Sequence, residues 1–304
     1  MFTMLELTEV MRQKDDLAFA DALNRLRVDG YDGLTNDDVK LFNSRICNIK
    51  DIPNEAVFLY FTNKDVATYN HMKLKNLPGE LVINTAIDEP KGEEAKSKLA
   101  LRLLRTLKNE VDLNKTGGLP TTISMKIESK YMITTNINTS DGLVNGVVGT
   151  LKKIVRTVKL DDKKPIVKRI WISFLDKDIG RKSRNDPDSL NFLRKDGCRK
   201  EDEWVLLTPQ TNTIRLDDTH PGEKLNFTLE RYQYPLVECE AMTIHKSQGQ
   251  TYNMIAVSLK TTLQRDLIYV ALSRVTKLSG LYLFDNDSIL PKSIRNKTQE
   301  QKNA

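Results

Sequence analysis

Residues 56–77 read AVFLYFTNKDVATYNHMKLKNL, and the fold turns on this stretch. Ala56 to Phe61 is an unbroken apolar, partly aromatic run, the pattern of a strand buried on both faces. The polar turn TNKD ends it, and Val66, Tyr69 and Met72 then recur at helical spacing. Strand, polar turn and helix in that order form the unit of an α/β sheet. Such sheets take ligands in the crevice beyond the C-terminal ends of their strands.

On the N-terminal side, residues 5–27 place Leu5, Val10, Met11, Leu17, Phe19, Leu23 and Leu26 at helical spacing, and DGYDGL breaks that helix. A second helix restarts at LTNDDVKLF, with Thr35 as N-cap and Asp38 completing a capping box. On the C-terminal side, EEAKSKLALRLLRTLKNE reads as a charged helix in an insertion-like stretch. From about residue 121 the pattern turns to strands: ISMKIESKYMITTNI, then VVGTLKKIVRTV after a Gly-rich turn, then IVKRIWISFL. Residues 176–203 read as a mobile polar excursion. Strands return at WVLLTP and KLNFTLERYQYPLVE. After residue 240 the α/β order resumes with MIAVSL as strand, LQRDLIYVALSRV as helix and SGLYLFD as a last strand.

Composition narrows the class. The chain has 304 residues, 39% of them apolar, enough for one large domain or two ordinary ones. Its 47 Lys and Arg against 41 Asp and Glu give a net charge of +6, which suits a polyanionic partner. Cys47, Cys198 and Cys239 have no CxxC spacing, which argues against a zinc site or disulfide framework and for a reducing compartment. The first residues carry acidic side chains and no long apolar run, so a secretory leader is not expected. No 18-residue apolar run exists, so neither is a membrane span of the helical kind.

Several chemistries can be set aside. A phosphate-cradling loop, GxxxxGK[ST], requires Gly followed by Lys, and no Gly in these 304 residues is. VINTAIDE (82–89) imitates a strand ending in magnesium-binding carboxylates, Asp88 and Glu89, but Asn84 and Thr85 break its apolar run. An exposed strand ending in a turn is the better reading. No metal site is expected, since His71, His220 and His245 have no ligand spacing, and no GxSxG elbow offers a nucleophile. That leaves AMTIHKSQGQT (241–251), where Thr243, Ser247, Gln248 and Thr251 bring hydroxyls and amides and Lys246 brings charge. These groups suit phosphate oxygens and sugars and carry no base code.

AMTIHKSQGQT resembles motif V of the Pif family of DNA helicases and of the RecD-like superfamily one helicases around it. LIYVALSRVTKLSGLYL (267–283) resembles their motif VI, and LTEVMRQKDD (7–16) their motif IV. YFTNKDVATYN, YMITTNINTSDGLVNGVVGTL and RYQYPLVECEAMTIHKSQGQT are similar to further blocks, in family order across 5–284. The resemblance implies an α/β fold: a second RecA-like, P-loop-NTPase-type helicase domain (1–120 and 226–304) interrupted by a small β-barrel-like insert (121–225). It implies ATP between two such domains, with Mg²⁺ and the phosphate loop on the first. The second supplies arginines to the γ-phosphate, here Arg274 in YVALSR and Arg12 in MRQ. Thr243, His245, Lys246, Ser247 and Gln248 inherit a grip on the single-stranded DNA backbone. Thr62 and Asn63 join them, and Lys152, Lys153, Lys168 and Arg169 are candidate basic surface.

The expected function is the C-terminal half of an ATP-dependent 5′–3′ DNA helicase of replication, repair, recombination or telomere maintenance. Because the match begins where the second domain begins, these residues alone are expected to hold neither ATP nor Mg²⁺ and to need a first RecA-like domain, in cis or in trans. The alternatives are a non-catalytic single-strand-binding module and a decayed mobile-element fragment. A phosphate loop encoded in frame upstream of Met1 would favour the first reading. The compartment is not set by the sequence: nucleus or mitochondrion in a eukaryote, cytoplasm otherwise.

Overall fold

In the computed structural model the described residues are 12–110, 112–158, 165–214, 226–260, 265–285 and 287–290. In chain order the elements are α1 (Leu17–Asp29), α2 (Asn36–Asn43), β1 (Val57–Tyr60), α3 (Asn63–Asn76), β2 (Val82–Thr85), β3 (Ile87–Gly92) and α4 (Lys98–Leu107). Then come β4 (Thr122–Met125), β5 (Lys130–Ile133), β6 (Val148–Val158), β7 (Pro165–Phe174), α5 (Arg181–Asn185), α6 (Pro187–Lys195), β8 (Val205–Leu207) and β9 (Gln210–Ile214). The last are β10 (Phe227–Gln233), β11 (Leu236–Glu238), β12 (Ala241–Thr243), β13 (Ile255–Ser258), α7 (Arg265–Leu272) and β14 (Leu281–Phe284). No described helix is long and apolar enough to cross a membrane.

The chain divides into two units, one made of residues up to Asn70 and from Ala241 onward, the other of His71–Glu240. These boundaries differ from the expected breaks at 120/121 and 225/226, for a pairing reason. The strand β10, counted with the α/β part from sequence, is hydrogen-bonded antiparallel to β3 on one side and β9 on the other. The stretch after Asn70 therefore belongs with the insert.

The first unit is α/β. Its four-stranded sheet runs β12-β1-β13-β14, every neighbouring pair parallel. All four residues of β1 are buried, as are those of β13, which is why the sequence shows unbroken apolar runs there instead of alternation. On one face Phe58 stacks on Tyr69 of α3 at 4.4 Å and meets Phe284 edge-on at 5.6 Å. Such ring pairs contribute about 0.5–1.5 kcal/mol each beyond their burial. α1 packs against α7 and buries Phe19, Ala20, Ala22, Leu23 and Leu26. It begins at Leu17, capped by Asp16; the expected start near residue 5 lies outside the described residues.

The capping box at Thr35 and Asp38 is present. The Arg25 guanidinium donates to both Asp38 oxygens at 2.7 Å and holds that carboxyl down at about 2, with help from the Thr35 amide. A carboxyl whose folded pKa is depressed stabilises the fold above its ordinary range and loses that contribution as pH falls through the folded value. The helical circular dichroism of α1 and α2 is therefore expected to weaken as pH drops from about 4 to about 2. Arg25→Ala should raise the midpoint of that loss. An unchanged acid limb would contradict the pair's role.

The second unit is β-rich. A five-stranded antiparallel sheet runs β11-β5-β6-β7-β8 over a core of Tyr131, Ile133, Leu151, Ile170, Ile172 and Tyr234. Among the described residues its edge strands β11 and β8 are not paired with each other, so the barrel-like closure is not seen. A three-stranded sheet, β3-β10-β9, carries α4 on one face. Residues 176–203 contain two helices, α5 and α6, in place of the expected mobile excursion. Asp141 accepts from the amides of Lys182 and Ser183 at the start of α5, and Asp186 caps α6 with Pro187 at its first position.

Candidate nucleic-acid and anion-binding surface

β1 and β12 lie side by side and parallel, with Tyr60 opposite Thr243, and the Ile244 amide donates to the Tyr60 carbonyl at 3.0 Å. The segments that leave them, 61–63 and 244–248, therefore emerge together at the C-terminal edge of the sheet. All seven residues proposed for DNA contact sit on these two segments or at the end of β12.

Local hydrogen bonds shape the second segment. His245–Ser247 forms a short 3-10 turn, the Ser247 hydroxyl donates to the Ile244 carbonyl at 2.7 Å, and the Gln248 amide donates to the His245 carbonyl at 3.2 Å. The Thr243 hydroxyl accepts from the Lys246 amide at 3.4 Å. Gly249 follows with φ of +83°, a conformation that L side chains rarely adopt, which lets the chain reverse. The outcome is a division of labour the sequence did not show. Thr243 and Ser247 are buried and their hydroxyls hold the turn, whereas His245, Lys246 and Gln248 are exposed. Lys246 has no carboxylate partner among the described residues.

On the neighbouring segment Thr62 caps α3: its hydroxyl accepts from the Asp65 amide at 3.1 Å and donates to the Asp65 carboxylate at 2.5 Å. Asn63 is exposed. Phe61, hidden from sequence reading as the last residue of an apolar run, is 41% exposed, and its ring faces that of His245 at 6.4 Å. Two exposed rings beside a lysine without a carboxylate partner among the described residues combine the groups that stack on bases and meet phosphates in single-strand sites.

A second cluster lies where α7 ends. Arg274 is 8% exposed. Its Nε donates to the Val270 carbonyl at 2.8 Å, Nη2 to the Ser273 hydroxyl at 2.7 Å, and Nη1 only weakly to the Gln250 carbonyl at 3.4 Å. Arg12 donates from Nε to the Thr251 hydroxyl and from Nη1 to the Ser273 carbonyl, each at 2.9 Å. Gln13, which sequence reasoning passed over, is buried and clamps the carbonyls of Ser273 and Val275 at 3.2 and 2.7 Å. Its signal was its place beside Arg12 in MRQ. The two arginines, 262 positions apart by number, thus meet around one short segment. Burial and, after it, the charge of Arg12 push the Arg274 pKa below its ordinary value. Arginine stays charged in proteins, so the shift reflects the cost of burying this cation, raised further by Arg12 with no carboxylate partner among the described residues, and an anion would relieve it.

One strip of chain joins the two clusters. The Gln250 amide donates to the Ser247 carbonyl at 3.1 Å, while the Gln250 carbonyl and the Thr251 hydroxyl accept from Arg274 and Arg12. The Tyr252 amide donates to the Arg274 carbonyl at 2.9 Å. Five residues, Ser247 to Thr251, separate the exposed turn from the arginine pair.

No profile of a known protein family matches the chain. Individual proteins do. The ATP-dependent DNA helicase PIF1 of Candida albicans is 29% identical over 318 aligned positions, covering 92% of this chain. The ATP-dependent DNA helicase RRM3 of Saccharomyces cerevisiae is 28% identical over 307, covering 92%. The chain is homologous to the Pif1-family ATP-dependent DNA helicases. It spans 34% and 41% of the length of those two relatives. The crystal structure of Candida albicans Pif1 superposes with a TM-score of 0.60 at 23% identity, over 96% of this chain and 60% of that one. That of Bacteroides Pif1 bound to single-stranded DNA gives 0.52 at 21%, over 98% and 56%. The α/β fold is thus that of Pif1 helicase domains.

Other candidates fall away on geometry. Arg169 is buried in a two-bond pair with Asp196, Lys152 is paired with Glu128 at 2.8 Å, and Lys153 reaches the Asp196 carbonyl. Of the four proposed basic-surface residues only Lys168 stands exposed without such a partner among the described residues. Asp88 is 3% exposed in its side chain and locked to Arg231, so it serves packing. His220 lies outside the described residues. Among the described residues no group of three or more His, Cys, Asp or Glu is placed to hold a metal.

Proposed function

We propose that these residues form the second RecA-like domain, with its inserted β-rich unit, of a Pif-type 5′–3′ DNA helicase. The five-stranded sheet is read as the counterpart of the barrel-like insert. Phe61, Thr62, Asn63, His245, Lys246 and Gln248 meet the backbone and bases of single-stranded DNA, with Thr243 and Ser247 holding the turn. Arg274 and Arg12 meet the γ-phosphate of ATP held by a first RecA-like domain, in cis or in trans. The observation that carries this is the strip 247–251, which bonds to the exposed turn at one end and to both arginines at the other. A shift of the arginines toward an anion pulls on the DNA-facing turn through three hydrogen bonds, a physical route from nucleotide state to strand grip.

The arginine pair fits an anion: two guanidiniums, no carboxylate among the described residues, and one Nη weakly held. ATP would supply the free energy of phosphoryl transfer. These residues bind and orient its terminal phosphate and offset the charge that develops there. In this reading Mg²⁺ belongs with the first domain, beside the β- and γ-phosphates. One other reading stands beside it, a single-strand-binding module without turnover.

The test is fluorescence anisotropy of a labelled dT oligonucleotide across a salt series. Phosphate contacts make log affinity fall linearly with log salt, by about 0.7 per contact on single strands. Lys246→Ala is expected to weaken binding and make the slope shallower by about 0.7. No binding at low salt, or a slope indifferent to Lys246, would remove the DNA assignment.

A further inference from the structure

Helix α4, KLALRLLRTL, has two unlike faces. Leu99, Ala100, Leu103, Leu104 and Leu107 pack on Ile214, Phe227 and Leu229 of the three-stranded sheet. The opposite face carries Lys98, Arg102 and Arg105, with Lys108 just past the helix end, and all four are exposed. At 3.6 residues per turn, Lys98, Arg102 and Arg105 lie within roughly 60° of one another and climb about 10 Å along the axis. They make a straight stripe of positive charge on a helix whose other face is packed.

Among the described residues nothing accounts for the stripe. Like charges three and four positions apart oppose helix formation. Lys98 stands in the first turn, where the helix dipole repels a cation. None of the four has a carboxylate partner among the described residues. Glu110, at the far end of the helix, pairs instead with Lys115 at 3.8 Å. A stripe that opposes its own helix and finds no carboxylate among the described residues suits a partner outside them, an extended anion.

We propose that this face of α4 docks on the phosphate backbone of duplex DNA. The face has no aromatic side chain, so it offers no platform for unstacked bases, which single-strand sites combine with their cations. Its cations lie in a line along one helix face, a spacing that suits the regular charge of a stacked double helix. Duplex phosphates need nothing more, since backbone contacts are independent of sequence. The proposal rests on the reading of the chain as a DNA motor part, but it uses none of the residues of the single-strand surface.

The experiment uses the full 304-residue chain, a short blunt-ended duplex and a dT homopolymer, each titrated across a salt series. Lys98→Glu/Arg102→Glu/Arg105→Glu is expected to lose roughly tenfold or more in duplex affinity. Its log–log salt slope on the duplex should be shallower by about 2.7, three contacts at about 0.9 each. Affinity for dT should change by less than about twofold, because the rings and Lys246 are untouched. The gentler Lys98→Gln/Arg102→Gln/Arg105→Gln triple keeps helix propensity and should shift the duplex slope in the same direction with unchanged circular dichroism. Unaltered duplex affinity in the folded glutamine variant, or equal losses on duplex and dT, would overturn the assignment. Failure of the single-strand reading is a separate outcome, seen as no dT binding by the unmodified chain.

Discussion

ATP turnover by this chain supplied with a phosphate-loop RecA-like domain is expected to fall by roughly 10³–10⁵-fold when Arg274 becomes Lys. The expectation comes from how the side chain is held. Two of its nitrogens are anchored, to the Val270 carbonyl and the Ser273 hydroxyl, and the third is only loosely engaged at 3.4 Å. The fork is therefore aimed before any anion arrives, and its burial strengthens each contact it makes. Lysine keeps the charge but has no planar fork and cannot reproduce both anchors. Phosphate release at saturating ATP is the measurement, with dT affinity and the unfolding midpoint as controls. A loss smaller than about tenfold, with both controls unchanged, would assign Arg274 to holding residues 250–252 and nothing more.

Arg231→Leu is expected to destabilise the β-rich unit by about 3–5 kcal/mol. Arg231 is fully buried on β10 and donates to both oxygens of Asp88 on β3, at 2.7 and 2.9 Å. It also satisfies the Thr121 hydroxyl and the carbonyls of Leu107 and Leu119. Leucine fills part of the space but strands a buried carboxylate and the Leu119 carbonyl, while the Leu107 carbonyl keeps the Glu110 amide and the Thr121 hydroxyl keeps the Glu110 carbonyl, and that unmet desolvation is the larger effect. Both tryptophans of the chain, Trp171 and Trp204, lie in this unit, so their fluorescence in urea follows it alone. Arg231→Leu/Asp88→Leu should recover part of the loss. A single-variant change below about 1 kcal/mol would mean that water reaches the carboxylate.

Legibility in the sequence followed the range of the forces involved. The run 56–61 and the box at Thr35 and Asp38 were readable because each is decided within a few residues. So were the strand MIAVSL and the helix before VTKLSG. The helices at 181–195 had local signals too, in Asp186 and Pro187, but the charge of the stretch masked them. The unit boundary was not readable because strand partners 140 or so positions apart decide it, as β3 and β10 show. The same distance hid the burial of Arg231, one cation in an alternating strand. At the turn 243–248, residue types were legible and directions were not. Only the 3-10 geometry turns the Thr243 and Ser247 hydroxyls inward and leaves His245, Lys246 and Gln248 outside.

The place of β1 in its sheet has a consequence for how the chain acquires its shape. β1 lies between β12 and β13, so both of its neighbours come from beyond residue 240. During synthesis its backbone must wait for them, unpaired and fully apolar, while the next 180 or so residues emerge. Residues 71–240 have no such debt to later sequence and can condense first. Their condensation shortens the loop that the host sheet must close, which lowers the entropy barrier to pairing β1. The Asn70 side chain then fastens the junction, accepting from the Ala241 amide at 2.7 Å and donating to its carbonyl at 3.2 Å. Lesions in the insert are therefore expected to slow closure of the host sheet and to surface as aggregation seeded by Val57–Tyr60, which refolding of an insert variant monitored by light scattering would check.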